Sequence, residues 1–309
     1  MKVLITGASG FLGKALTPKL IARGDTVFGL SRHPPEMSKG LFPLVGDVTL
    51  PNLGLKEAPN NLDSVYHLAA ILKLGKDKDG NIWKTNVTGT KNVIEFCLTH
   101  NIPRLYYCST AFTVGEGRNP YEKSKILCEQ LVEASGIPHV TIFKPSIIIG
   151  TGDHLFLGHF SQYALLAIKV HRRAELIRRK LEGTLRLPVL EPVFRVKGDP
   201  KGTLNMVTVD DVVDGMVRSW RRGKIWLTHP RPPTLEQIVT WIGEFVLLDM
   251  KMELEFKPTP IESVFQRMSS HFDPYVYGDD FPSDLKCFPI TQEIIHQSIM
   301  GAFLTIDKS

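Results

Sequence analysis

Tyr121 and Lys125 set a phenol and an ammonium four residues apart, in the run Asn119-Pro120-Tyr121-Glu122-Lys123-Ser124-Lys125, which reads as a helix start. Positions i and i+4 share one face of a helix, so the pair can point into one cleft. An ammonium beside a phenol favours the phenolate and lowers a pKa that is otherwise about 10. Such a pair can donate and accept a proton near neutral pH. The same spacing also serves plain solvated helix faces, so its meaning depends on the rest of the chain.

Four further groups bear on it. Gly7, Gly10 and Gly13 lie between a first strand and a first helix. That spacing lets the backbone approach a pyrophosphate at a helix N-terminus; a tight strand-to-helix turn alone uses it too, but its position in a βαβ unit favours the nucleotide site. At the end of the second strand, where an acid would hold the ribose 2′-OH of NAD, stand Ser31 and Arg32. A hydroxyl and a guanidinium suit a 2′-phosphate, which favours NADP(H) and leaves NAD(H) open. Arg32 as a simple exposed loop arginine is the alternative. Ser109 and Thr110 end another strand, where hydroxyls face the ligand crevice of such sheets or cap a helix. Asn86, in Thr85-Asn86-Val87-Thr88-Gly89-Thr90, is poor helix interior. It either bends the helix and binds a water near Lys125 or caps a turn.

These groups need strands to carry them. Short apolar runs over Lys2–Thr6, Asp25–Ser31, Leu41–Gly46, Ser64–Leu68, Arg104–Ser109 and Val140–Lys144 alternate with helical patterns over Phe11–Arg23, Ile82–His100 and Pro120–Ser135. Buried strands alternating with amphipathic helices predict an α/β fold: a Rossmann-type doubly wound parallel sheet with a smaller, mainly helical C-terminal substrate lobe. The rhythm changes after Gly150. A long helix with a basic end is expected over Phe160–Leu181, and a Pro-rich irregular stretch over Leu185–Gly202. A strand end and helix start follow at Val207–Val213, with Asp210 or Asp211 near the helix N-terminus, then a strand at Lys224–Thr228 and a helix capped by Thr234. The expected division is 1–150 with 205–228 as the dinucleotide domain, and 151–204 with 229–309 as the substrate lobe.

Composition narrows the class. In 309 residues, 43% are hydrophobic and the net charge is +5, enough apolar content for a sizeable core and too little charge to imply nucleic acid. No apolar stretch is long enough to span a bilayer, and no signal peptide is read before the first strand. Four cysteines without metal-ligand spacing indicate a reduced, cytoplasmic setting and no metal.

Taken together, Thr6-Gly7-x-x-Gly10-x-x-Gly13, Gly46-Asp47, His67-Leu68-Ala69-Ala70, Asn86-Val87-x-Gly89-Thr90, Ser109-Thr110-Ala111, Tyr121-x-x-x-Lys125 and Lys144-Pro145-Ser146 resemble the extended short-chain dehydrogenase/reductase family. Within it, Gly46-Asp47-Val48-Thr49-Leu50-Pro51-Asn52-Leu53-Gly54-Leu55, the Asn119–Lys125 run and Gly202–Asp211 resemble thioester reductases and fatty acyl-CoA reductases. The resemblance implies catalytic roles for Thr110, Tyr121, Lys125 and Asn86: Tyr121 the acid, Lys125 on the nicotinamide ribose, Thr110 orienting the carbonyl, Asn86 completing a proton relay. It implies a cofactor site of Gly7, Ser9, Gly10, Phe11, Leu12, Gly13, Ser31, Arg32, Asp47, Val48, Leu68, Ala69, Ala70, Tyr121, Lys125, Pro145 and Ile147. Lys144 stands where the family has Arg, and eleven positions separate Thr110 from Tyr121 where relatives carry a longer loop.

The activity this implies is NADPH-dependent reduction of an acyl thioester, on coenzyme A or a carrier protein, to aldehyde or alcohol. Ketone or aldehyde reduction and sugar-nucleotide epimerisation are alternatives in the same superfamily, and a non-redox tailoring enzyme or cofactor sensor is another. The basic helix Arg172–Lys180 is either a solvated face or a dock for an acidic acyl-carrier protein. A homodimer is compatible with the family.

Overall fold

The computed structural model describes residues 1–152, 154, 158–185, 193–219 and 221–306. They form two compact units, Met1–Ser146 with Val209–Pro230 and Phe281–Lys286, and the remainder.

In the first unit, β1 (Lys2–Thr6), α1 (Phe11–Ala22), β2 (Thr26–Ser31), β3 (Leu41–Val45) and β4 (Ser64–His67) lead to a helical run. That run comprises α2 (Asn81–Trp83), a π turn at Lys84–Thr88 and α3 (Gly89–Thr99). Then come β5 (Arg104–Cys108), α4 (Pro120–Glu133) and β6 (His139–Pro145). The second unit takes β7 (Ile147–Ile149), α5 (His159–Leu185), β8 (Phe194–Lys197) and β9 (Met206–Thr208). The chain returns to the first unit for α6 (Val209–Arg218) and β10 (Gly223–Leu227), and α7 (Leu235–Val246), β11 (Met250–Glu253), α8 (Pro260–Ser269) and α9 (Gln292–Ile306) belong to the second.

The main sheet has seven strands, all parallel, in the order β10-β6-β5-β4-β1-β2-β3. Val3, Leu4 and Ile5 of β1 are fully buried, because helices cover both faces of a parallel sheet and leave no solvent side. The chain runs outward from β1 to β3 and then returns to β4 on the other flank of β1. That reversal opens a crevice beyond the carboxyl ends of β1 and β4, where ligands bind in such sheets.

Among its described residues, the second unit holds four α-helices, a short 3-10 helix at Ser270–Tyr275 and two parallel strand pairs, β7 with β9 and β8 with β11. Its apolar core joins α5, α7, α8 and α9 through Ala164, Ile168, Ile238, Ile242, Phe265, Ile295 and Ile299. Thr234 and Thr259 cap α7 and α8, each in a reciprocal box with the Gln or Glu three residues on.

Two expectations are corrected, and a third is refined. The division falls elsewhere: β9 and residues 147–150 join the second unit because β9 pairs with β7, and 281–286 joins the first. There Asp284 and Ser283 bond Trp226 and Thr228 and cover the edge strand β10. The helix expected over Ile82–His100 forms as a continuous helical run over 81–99 with a π turn at Lys84–Thr88 inside it. The irregular stretch expected over Leu185–Gly202 contains β8, while its 186–192 portion lies outside the described residues.

Candidate active site

The glycine loop follows β1 directly. Gly7 has φ +76°, and a Cβ there would lie 2.9 Å from the Ala69 nitrogen. A Cβ on Gly13 would collide with the Gly7 carbonyl oxygen and lie 2.8 Å from the Ala8 Cα. The loop is thus tucked against the end of β4, with Ser9 in the turn and Phe11 and Leu12 opening α1. Gly10 caps α1 without a side chain, and the first turn carries no acid. The positive end of the helix dipole therefore remains open to an anion.

At the end of β2, the Ser31 hydroxyl is buried without a hydrogen-bond partner among the described residues, and Arg32 is exposed beside it. Burial raises the Asp47 carboxyl, but hydrogen bonds from the Thr49 backbone (2.8 Å) and hydroxyl and the charges of Arg32 and Lys84 outweigh it. The carboxylate is held below its ordinary value. Asp47 sits in a tight loop whose next residues include Asn52 and Leu53 at φ +49° and +56°. Leu53 is fully buried in that left-handed turn, and its carbonyl accepts the Asp47 amide at 2.9 Å. Val48 is buried against Gly89. A close-packed glycine cradle, an open helix end, an orphaned buried hydroxyl and an adjacent guanidinium fit a phosphorylated dinucleotide.

Behind the cradle runs a directional chain of hydrogen bonds. The Ala69 amide donates to Thr6 Oγ1 (3.3 Å), which lies 2.7 Å from His67 Nδ1. His67 Nε2 lies 3.1 Å from Thr90 Oγ1, which donates to the Asn86 carbonyl at 2.6 Å. Thr90 has given its one proton to Asn86, so His67 Nε2 must be the donor and Nδ1 the acceptor. The ring is the neutral Nε2–H tautomer. Burial pushes the imidazole down to about 3, with help from the Lys125 charge.

Tyr121 and Lys125 lie in the first turns of α4. Asn119 caps the helix, its Oδ1 accepting the Glu122 amide at 3.0 Å, and Pro120 occupies the first position with φ pre-set. Both side chains are buried. The Lys125 ammonium donates to the Cys108 carbonyl (2.7 Å) and stands 4.8 Å over the Tyr107 ring. Burial pushes its pKa below the ordinary lysine value. The helix face of Tyr121 and Lys125 thus meets the end of β5, beside the crevice.

Asn86 is buried between the chain that follows β4 and α4. Its carboxamide exchanges two hydrogen bonds with the Ile71 backbone (2.8 and 3.1 Å) and donates to Ser124 Oγ at 2.9 Å. It pins the chain after β4 to α4 from within the π turn.

Thr110 is buried, and among the described residues its hydroxyl makes only long contacts, 3.4 Å to the Pro145 carbonyl and 3.4 Å from the Phe112 amide. Ser109 turns away from the crevice and donates to Glu129 Oε1 at 2.5 Å. The same carboxylate accepts from Thr113 Oγ1 (2.7 Å) and Lys144 Nζ (2.9 Å), and Lys224 pairs with its other oxygen at 3.2 Å. Burial would raise this carboxyl, but those hydrogen bonds hold it below its ordinary value. Lys144, which also bonds Thr113, lies 4.7 Å over the Trp226 ring.

The first unit therefore collects Gly7, Gly10, Gly13, Ser31, Arg32, Asp47, Leu68, Ala69, Ala70, Thr110, Tyr121, Lys125 and Pro145, while Ile147 heads β7 in the second unit. Sequence reasoning missed Glu129, although it stands at i+4 from Lys125 and i+8 from Tyr121, a spacing that would have marked it. Among the described residues no cluster of His, Cys, Asp and Glu is arranged for a metal, and no helix is long and apolar enough to cross a membrane.

Residues 3–225 match the NAD dependent epimerase/dehydratase family. A 2-alkyl-3-oxoalkanoate reductase of Stenotrophomonas maltophilia is 33% identical over 186 residues, 53% of this chain and 56% of that protein. A 4-hydroxy-2-methyl-3-oxo-4-farnesyl-3,4-dihydroquinoline-1-oxide ketoreductase of Stigmatella aurantiaca is 30% identical over 179 residues, 51% of this chain and 53% of that one. The chain spans about half the length of these curated relatives. Among solved structures, a UDP-glucuronic acid 4-epimerase of Bacillus cereus in complex with UDP-glucuronic acid and NAD superposes with a TM-score of 0.64. The match covers 99% of this chain and 100% of that one at 17% identity, a likeness of fold alone.

Proposed function

Because the chain belongs to the NAD dependent epimerase/dehydratase family of the extended short-chain dehydrogenase/reductases, we propose that it is an NADP(H)-dependent reductase of a ketone, in the class of 3-oxoacyl compounds. The observation that carries this reading is the α4 pair: a buried phenol, with a buried ammonium one helical turn on, anchored to the end of β5 beside the glycine cradle. The names of the two curated relatives, both reductases of 3-oxo compounds, support a ketone as the acceptor.

The nicotinamide, when bound, supplies the hydride. Tyr121 gives its phenolic proton to the carbonyl oxygen as negative charge develops there, and the Lys125 ammonium supplies positive charge next to the phenol that loses it. The Thr110 hydroxyl, held by long contacts, is available to donate to the same oxygen. Ser31 and Arg32 support NADP(H) over NAD(H) because neither repels a 2′-phosphate. The absence of an acid at that place also disfavours epimerisation with tightly held NAD.

Acyl-thioester reduction is the second reading, favoured by the Gly46–Leu55 segment and its left-handed Asn52-Leu53 turn. A carrier-borne substrate would then dock on the basic part of α5. There Arg178 and Arg179 both bond Glu175 (2.7 and 2.9 Å), and Arg172, Arg173, Arg179 and Lys180 are exposed.

NADPH oxidation measured with an aliphatic 3-oxo ester, acetoacetyl-CoA and decanoyl-CoA separates the readings. We expect turnover of the two ketones and none of decanoyl-CoA. Tyr121→Phe should lower kcat about 10²- to 10⁴-fold, the range of general acid catalysis, with NADPH binding retained. Turnover of decanoyl-CoA alone, or an undiminished Tyr121→Phe rate, would overturn the proposal.

A further inference from the structure

Eleven positions separate Thr110 from Tyr121, so the turn carrying one and the helix carrying the other are joined by a short connection. Their register must come from side chains. On the backbone, Ser109 and Ala111 bond the Phe143 and Pro145 carbonyls of β6 (2.8 and 2.7 Å), which fixes the turn to the sheet but not to α4.

Lys125 of α4 bonds the Cys108 carbonyl at the start of the turn, and a second α4 residue, Glu129, reaches further into it. Glu129 takes Ser109 and Thr113, the residues on either side of Thr110, on a single oxygen. It takes Lys144 from β6 through both oxygens, at 2.9 and 3.2 Å, and Lys224 from β10 at 3.2 Å. Thr113 also lies within reach of the Thr110 carbonyl at 3.1 Å. Four donors from three elements thus converge on one carboxylate that is 5% exposed. A buried charge without partners is strongly unfavourable, so the four-donor arrangement is the one in which Glu129 can be buried at all. That requirement ties helix, turn and sheet into one geometry.

We infer that Glu129 is a positioning residue: it locks the helix carrying Tyr121 against the turn carrying Thr110, so that both side chains meet one carbonyl oxygen. Lys144 completes the lock from β6, where a single ammonium engages Glu129 and Thr113 together, and Lys224 supplies the second cation. The catalytic part of this inference rests on the carbonyl-reductase reading, whereas the mechanical part does not.

The test uses the full chain with two readouts. Glu129→Gln keeps the shape and removes the charge. It should lower kcat for the aliphatic 3-oxo ester about 10- to 100-fold, the cost of a displacement of up to about 1 Å at a reacting centre, with the NADPH Kd within about twofold. In a Thr110→Ala background the same change should lower kcat less than about threefold, because Glu129 acts through Thr110. Ser109→Ala, which removes one donor, should show a smaller loss in the same direction, and Lys144→Arg should retain activity where Lys144→Met does not. Equal losses from Glu129→Gln in both backgrounds would overturn the positioning role. Independently of any substrate, hydrogen–deuterium exchange at amides 109–113 should accelerate at least tenfold in Glu129→Gln while β1 and α1 stay protected. Unchanged exchange there would refute the lock even if the ketone activity stands. Accelerated exchange in a protein that reduces no ketone would retain the lock and reject the reductase reading.

Discussion

In the first unit, acidification below neutrality should act on the fold through His67, as it should in the second through His159, which burial lowers to about 4. The His67 Nδ1 accepts from Thr6 and its Nε2 donates to Thr90, so the ring is bonded as a neutral imidazole and has no place for a second proton. A protonated ring would turn Nδ1 into a donor facing a hydroxyl already committed to it, and would place a cation in the field of Lys125. Burial holds the folded value at about 3 against an ordinary 6.5. Between those values the unfolded chain binds a proton that the folded chain refuses. Stability therefore rises with pH across that window and falls as pH is lowered through it. Each pH unit below the unfolded value costs about 1.4 kcal/mol, so going from pH 7 to pH 5 removes about 2 kcal/mol through this residue alone. His67→Gln keeps one donor and one acceptor without titrating. Urea unfolding of both proteins at pH 7 and pH 5, followed by the protection of β1 and β4, should show the wild type losing about 2 kcal/mol more than the variant. The His67 ring resonances should also stay constant down to about pH 4 in the folded protein. Equal losses in the two proteins, or a His67 titration near its ordinary value, would refute the assignment of the neutral tautomer.

Two further perturbations probe the cradle. Gly13→Ala places a Cβ against the Gly7 carbonyl and Ala8 backbone, which cannot move as a side-chain end could; a loss of about 1–3 kcal/mol in urea unfolding is expected, with weakened NADPH binding, and an unaffected variant would mean that the loop is slack. Arg32→Glu replaces a cation beside the orphaned Ser31 hydroxyl with an anion; a charge-assisted contact of about 1.5–3 kcal/mol predicts roughly a 10- to 150-fold weaker NADPH affinity by fluorescence titration, with NADH little changed, and equal changes for both cofactors would remove the argument for a 2′-phosphate.

Much of the first unit was legible because its signals are local. All six strands expected before residue 150 form within a residue or two of their expected bounds, since a parallel strand buried on both faces reads as an unbroken apolar run. The glycine loop, Ser31-Arg32 and the Tyr121–Lys125 spacing are likewise short-range patterns with a definite place in a βαβ unit. The pairs β7–β9 and β8–β11 were harder to see. They are three and four residues long, and each joins segments more than fifty positions apart. A short strand has no stability of its own to leave a mark in composition.

What sequence alone determined, then, is the sheet, the cradle and the pairing of the Tyr121 phenol with the Lys125 ammonium on one helix face. Tertiary structure decided which polar side chains serve them. Ser109 reads as a crevice hydroxyl beside Thr110, yet it faces Glu129. Asn86 reads as poor helix interior, and its carboxamide braces Ile71 and Ser124. His67 reads as the start of an apolar motif, yet it is the centre of a hydrogen-bond chain from Thr6 to Asn86. The physical reason is common to all three. A buried polar group must find partners, and those partners lie 15 to 61 positions away, brought within 3 Å or so only when the parallel strands and their crossover helices have assembled.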